Sequence, residues 1–202
     1  MPVVHVIDTL TDWAWREICT QIKLKQPPEN TEPTDSEYEY KLVNPQAFPL
    51  YAPTSEKLPP NVHSPFPSVC VRFVTGADDL TDNERAVDVQ LCFSAWDPGI
   101  HSQDIFNPAG DGSFSRQGAG ETEFERTADG WRDAWNFVDI ALREIESVSF
   151  IGDYTIDRNT AIKYGPLTEQ EAIPNLYPFW FAWISFRVNC PLMRNNDYND
   201  LL

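Results

Sequence analysis

Residues 177–191 read YPFWFAWISFRVNCP, the most apolar and most strand-like run of the chain. From Trp180 to Cys190 the even positions are Trp180, Ala182, Ile184, Phe186, Val188 and Cys190, whereas Ser185, Arg187 and Asn189 make the odd positions polar. A period of two sends side chains alternately to the two faces of a strand, so this stretch predicts a strand with one buried face. Its first half differs, because Phe179, Phe181 and Trp183 make the other face apolar too. Something must cover that end as well, either the same subunit or a partner chain.

Around this strand, 202 residues with 42% hydrophobic content suffice for one domain with a sizeable core and appended loops, spanning 1–202. No apolar run reaches the roughly 18 residues that span a bilayer, and MPVVHVIDTL has no basic region ahead of a long apolar one. A soluble protein made in the cytosol, without membrane contact, is the expectation. Cys19, Cys70, Cys92 and Cys190 are scattered without CxxC pairing, which reads as small core residues and neither disulfides nor zinc ligands. The formal charge of −16, from 31 acids against 15 Lys and Arg, repels phosphates and argues against sequence-specific DNA binding.

Ahead of the central strand the chain alternates between patterned and unpatterned stretches. Leu10, Trp13, Ala14, Ile18 and Ile22 recur at helical spacing and predict a helix over Thr9–Lys23, with Asp8 or Thr9 as N-cap. Residues 25–66 then carry nine of the 17 prolines and read as an extended arm or loop, with a short strand possible at Tyr38–Val43. Ser68–Val74 and Ala86–Ala95 alternate and predict an antiparallel hairpin. Its acidic connection, TGADDLTDNE, lacks the alternating oxygens and fixed glycine of an EF-hand loop and reads as a solvated turn.

Residues 97–130 show no sustained periodicity and read as a long loop. Its Gly110–Gly112 and Gly118–Gly120 pairs lack dinucleotide or P-loop spacing. A second helix is expected from Gly130 to Ser147, with Asp129 as N-cap and a stripe of Trp131, Ala134, Trp135, Val138, Ala141, Leu142 and Ile145 facing the core. A less regular strand is expected within Tyr154–Tyr164, then a loop over Gly165–Asn175. The tail LMRNNDYNDLL after Pro191 is polar and reads as frayed or docked on a neighbour.

Together these elements predict an α+β fold: a mixed or antiparallel sheet of roughly four strands with two helices packed on one face, plus long loops. No chemistry assembles within it. His5, His63 and His101 fall in stretches that read as terminus or loop, and neither a Gly-x-Ser-x-Gly elbow nor a metal-binding histidine pair accompanies them. No catalytic residue, cofactor site or metal site is therefore predicted, and a small enzyme or monomeric binding module remains the alternative of a different class.

The segment order resembles the tail terminator family of long-tailed bacteriophages, which serve in tail completion and head-tail joining. The matching places are the proline-led first strand at Pro65–Val69, the Gly-aromatic-Arg-Asp helix opening at Gly130–Asp133, and the Tyr-Pro-aromatic-Trp strand opening at Tyr177–Trp180. The likeness covers Thr9–Ile22 and Pro65–Pro191, while the arm 25–66 and the loop 97–130 are longer than that pattern.

The resemblance implies a virion protein that forms a homohexameric ring. The ring would seat on the last ring of the major tail tube protein, stop its polymerisation and present a surface to the head-tail connector or stopper protein. DNA would pass through the lumen without sequence-specific contact, and the protein would assemble in the host cytoplasm. No catalytic role is inherited, and a neighbouring neck or tail-completion ring protein shares the same plan.

Overall fold

In the computed structural model, residues 3–27, 41–81, 84–101, 106–108, 114–116, 124–126, 129–169 and 172–191 are described. The chain opens with α1 (Val3–Trp13), which runs on through a π turn at Ala14–Ile18 and a 3₁₀ turn at Cys19–Gln21. The helix starts ahead of the expected Asp8 or Thr9 cap. Thr9 sits inside it and hydrogen-bonds the ring of His5 (3.0 Å), so His5 is a helical residue and not part of a loose terminus. The apolar stripe is as expected, with Leu10, Trp13, Ala14 and Ile18 buried, and Val6 and Ile7 extend it backwards. Asn44 closes the other end, its amide donating to the carbonyls of Cys19 (3.0 Å), Thr20 (3.2 Å) and Ile22 (2.9 Å), which leave the helix without intrahelical partners.

The proline-rich stretch contributes strands as well as loop. β1 (Leu24–Gln26) pairs antiparallel with β2 (Lys41–Val43), and β3 (Gln46–Pro49) joins the main sheet as a parallel edge. Residues Tyr38–Tyr40 of the expected strand lie outside the described residues. β4 (Ser68–Asp79) and β5 (Glu84–Trp96) form the expected hairpin. β4 is longer than Ser68–Val74 because a bulge between Phe73 and Thr75 lets pairing resume out to Asp79, inside the stretch read as a turn.

The stretch 97–130 is likewise not one structureless loop. β6 (Gly99–His101) pairs with β9 (Phe124–Arg126), and nested inside them β7 (Phe106–Pro108) pairs with β8 (Phe114–Arg116), both antiparallel. The two Gly-x-Gly pairs lie outside the described residues. α2 (Trp131–Ser147) follows with Gly130 as its cap residue, and no side chain, Asp129 included, caps it. At its C-terminus Arg158 donates to the carbonyls of Ile145 (3.3 Å), Glu146 (3.1 Å) and Val148, placing a cation where the helix dipole is negative.

Within Tyr154–Tyr164, where one irregular strand was expected, β11 (Tyr154–Ile156) and the start of β12 (Lys163–Pro166) form; β10 (Phe150–Ile151) precedes them, and β12 runs on into the expected loop. β13 (Phe179–Pro191) then pairs with β5 along its whole length, from Phe179 opposite Trp96 to Pro191 opposite Glu84. The main sheet thus has seven strands and not four, in the order β10-β11-β13-β5-β4-β3 with β12 also on β13. All pairings are antiparallel except β3 with β4. The extra strands are two to four residues long and sit beside Pro or Gly, too short for a period of two to register.

Both helices pack on one face of this sheet. Their buried residues join Val69 and Val71, Val87 to Ala95 at alternate positions, and Ala182 to Cys190 at alternate positions in one core. In α2 the burial differs from the expected stripe: Phe137 is fully buried and meets Phe93 edge-on (4.8 Å), whereas Trp131 is 43% exposed. Cys19 and Cys190 belong to the core, Cys70 is buried on the opposite face of the sheet next to half-buried Cys92, and all four thiols are free. Burial pushes Cys19 up to about 12 and Cys70 to about 11, so both are neutral small apolar groups at physiological pH.

Candidate functional site

The first half of β13 is apolar on both faces, and its two faces meet different covers. On the face away from the helices, the ring of Phe66 lies 4.8 Å from that of Phe179 and 6.3 Å from that of Phe181. Phe66, two residues ahead of β4, thus shields part of this half within the subunit, leaving Phe179 and Phe181 half-buried, while the Trp183 indole donates to the Pro166 carbonyl (2.9 Å). Deeper on the same side Ser94 and Ser68 share a buried hydroxyl pair (2.9 Å), each satisfying the other where water is excluded. Farther along, Arg187 makes a two-point pair with Asp88 (2.7 and 3.0 Å), a polar surface as its period predicts.

At the start of β13 the chain also clamps the root of the 97–130 excursion. The Trp180 indole donates to the Asp97 carbonyl (2.9 Å), and the Tyr177 hydroxyl donates to that of Pro98. The Asp97 backbone N–H donates to the Pro178 carbonyl (3.0 Å). Lys25 adds a largely shielded ion pair, its ammonium donating to the Asp97 carboxylate (3.0 Å) and to the Gly99 carbonyl (3.0 Å). From the other end of the excursion Gly130 sits against the same indole. A Cβ there would come within 2.3 Å of Trp180 Nε1 and 2.7 Å of Asp97 Cβ, so only glycine permits this approach.

Two of the segments that carry the family resemblance therefore pack on the third, from opposite faces of β13. Pro65–Val69 supplies Phe66, Gly130–Asp133 supplies the glycine under the indole, and Tyr177–Trp180 supplies the indole and the phenol.

Beside this junction opens a groove of about 420 Å³, walled by the first turns of α2, by Pro166, Leu167 and Ile173–Leu176, and by the start of β13. Trp131, Trp135 and Trp180 line it together with Leu167, Ile173 and Pro174, and among the described residues none of its lining side chains is charged. That is unusual in a chain of net charge −16. Its rim is strongly exposed, with Ile173 at 70%, and Tyr164 beside it stands edge-on to Trp135 (6.3 Å). An open apolar cleft with aromatic walls and one amide, Asn175, can hold an apolar or proline-rich segment, and among the described residues its lining holds no acid, base or nucleophile.

The remaining candidates stay apart. His63 lines a separate cleft of about 110 Å³ next to the β1–β2 pair, His5 is on α1, and the side chain of His101 lies outside the described residues. Among the described residues no group of three or more His, Cys, Asp or Glu is placed to hold a metal ion. In the acidic hairpin connection Asp78 is engaged by Arg85 (2.7 and 2.8 Å), which holds its carboxyl below the usual range, and Asp79 accepts from the Thr81 N–H (2.7 Å). No helix among the described residues is long and apolar enough to cross a membrane. The groove and the clamped root went unseen in the sequence because their parts are far apart along the chain; the signal that pointed to them was the doubly apolar first half of β13. No protein-family model, curated protein or solved structure matches this chain.

Proposed function

We propose that this chain is a structural virion protein of the tail terminator kind, a subunit that closes into a homohexameric ring on the end of a phage tail tube, stops tube growth and joins the tail to the head connector. The observation that carries this reading is the packing of Pro65–Val69, through Phe66, and of Gly130–Asp133, through Gly130, onto the two faces of Tyr177–Trp180. Segments that resemble a family and lie far apart in sequence support a common fold when they pack on one another. The junction also anchors the root of a long excursion and borders an uncharged groove. A heterologous ring interface uses two different surfaces of one subunit, so such features suit it. A strongly acidic chain suits a channel in which DNA slides without sticking.

Mass photometry of the purified protein, with and without tail tubes, tests the reading. A hexamer, or a monomer that becomes hexameric on tubes, is expected; a monomer indifferent to tubes sinks it. A neighbouring neck ring would also assemble into a ring, and imaging of virions or tail length in a knockout separates the two. The groove by itself favours one reading of another class, a monomeric module that binds an apolar ligand, which the same mass measurement distinguishes.

A further inference from the structure

Among the described residues nothing fills the groove beside Trp131, Trp135 and Trp180, and the same chain displays a segment of matching chemistry elsewhere. Residues 50–61 leave β3 and return ahead of β4 as LYAPTSEKLPPN, bracketed by two non-glycine residues in the left-handed region, Leu50 (φ 65°) and Asn61 (φ 71°). Between those residues Ser55–Lys57 form a 3₁₀ turn, and only its flanks, Thr54 (φ −65°, ψ 156°) and Leu58 (φ −67°, ψ 147°) leading into Pro59 and Pro60, have polyproline II torsions. Pro53, Pro59 and Pro60 restrict the segment further, and Tyr51 is 72% exposed.

Proline-rich segments dock into aromatic-lined grooves because their extended form is largely paid for in advance and their rings fit between flat aromatic walls. Charge points the same way. Residues 48–61 carry one acid, Glu56, and one base, Lys57, so this stretch is neutral within a chain of −16. It can approach the uncharged groove without the repulsion that opposes most other contacts between two copies.

We propose that the 50–61 segment of one copy docks in the tryptophan groove of the next. A second copy is the occupant because the segment is tied to its own sheet at the far edge. The Leu50 N–H donates to the Val71 carbonyl of β4 (2.8 Å), and the groove lies at β13, beyond β5. Groove and segment are different surfaces of one subunit, so the contact is heterologous and repeats by rotation into a ring or filament. This rests on the ring proposed above and gives that ring its interface.

Two variants and one peptide test it. Trp131→Ala, or Ile173→Ser should the first fail to fold, damages the groove at an exposed position and leaves the segment intact. Tyr51→Ser with Pro59→Ser and Pro60→Ser damages the segment and leaves the groove intact. Each variant is expected to keep its melting temperature and remain monomeric on tail tubes, and an equal mixture to give dimers that do not grow, since one sound groove meets one sound segment. A synthetic peptide of residues 48–61, followed by tryptophan fluorescence, should bind the segment variant at least tenfold more tightly than it binds the groove variant. Rings formed normally by the segment variant, or equal peptide binding by both variants, overturn the proposal while leaving the ring itself standing. If the unmodified protein never forms rings, the ring reading falls, and the peptide titration still decides whether groove and segment recognise each other.

Discussion

The two halves of β13 belong to one strand, pair with one neighbour in one unbroken register, and live in different surroundings. Along Ile184–Cys190 the core face is sealed by the helices and the opposite face carries Ser185, the Asp88–Arg187 pair and Asn189. Along Phe179–Trp183 both faces are apolar: Phe66 shields part of one side, the excursion root is clamped at the end, and the tryptophan groove stays open. The difference separates two uses of apolar surface. The second half builds the subunit; the first half builds the subunit and leaves surface over for something else.

Truncation in the second half should have the largest effect on stability. Phe186 is buried in the common core, and Phe186→Ala should cost about 3–5 kcal/mol, read as a lower urea midpoint with an unchanged slope. Gly130→Ala, at the clamp, comes next. The added methyl must displace the Trp180 indole or the Asp97 side chain, for about 1–3 kcal/mol, and the indole's fluorescence should shift as it loses the Asp97 carbonyl. An unchanged midpoint would mean that the clamp yields freely and that the two halves do not differ as described.

A smaller effect, confined to alkaline solution, reports on the sealed side. Cys19 ionises near 9 in an unfolded chain and is pushed up to about 12 by burial. The folded form holds the proton longer, so the stabilisation is complete below pH 9 and is lost progressively as pH rises from 9 towards 12. Cys19→Ala should therefore flatten the fall in melting temperature over that interval. The smallest thermal effect belongs to the excursion. Replacing residues 103–122 with a short Gly-Ser linker should leave the melting temperature nearly unchanged, since loop entropy varies only by about 0.6 kcal/mol per doubling of length. It should nevertheless abolish capping of tail tubes; unfolding of the shortened protein would assign the excursion to the core.

The sequence makes the sealed side legible and the other side only partly so. Ile184, Phe186 and Val188 announce their face because one side is apolar and the other is not, and α2 announces itself through Ala134, Val138, Ala141 and Ile145. Trp131 misleads: it falls on the same helical stripe, yet it lines the open groove, while Phe137, off that stripe, is fully buried in the core. The early start of α1 is hidden by Val3, Val4, Val6 and Ile7, whose β-branched side chains favour strands, and by an Asp8–Thr9 pair that imitates a cap. β3 could not be read at all. Its four residues end in Pro49, and only Phe48 among them is buried. The nested strands of 99–126 are three residues each and carry no alternation. The groove is a property of the fold, since its walls come from three separate stretches of chain.

The pairing of β13 with β5 also has a consequence in time. On the ribosome β5 is complete at Trp96, but the strand that covers its inner edge is not finished until Pro191, 95 residues later (191 − 96). At synthesis rates of about 5–20 residues per second, the nascent hairpin waits roughly 5–20 s with that edge bare. During that interval Val87, Val89, Leu91 and Phe93 lack the Ala182–Val188 side chains beside which they are finally buried. Raising this protein in quantity should therefore depend on slow induction or on chaperones that shield a bare edge, with inclusion bodies as the outcome when chains crowd before the last strand arrives.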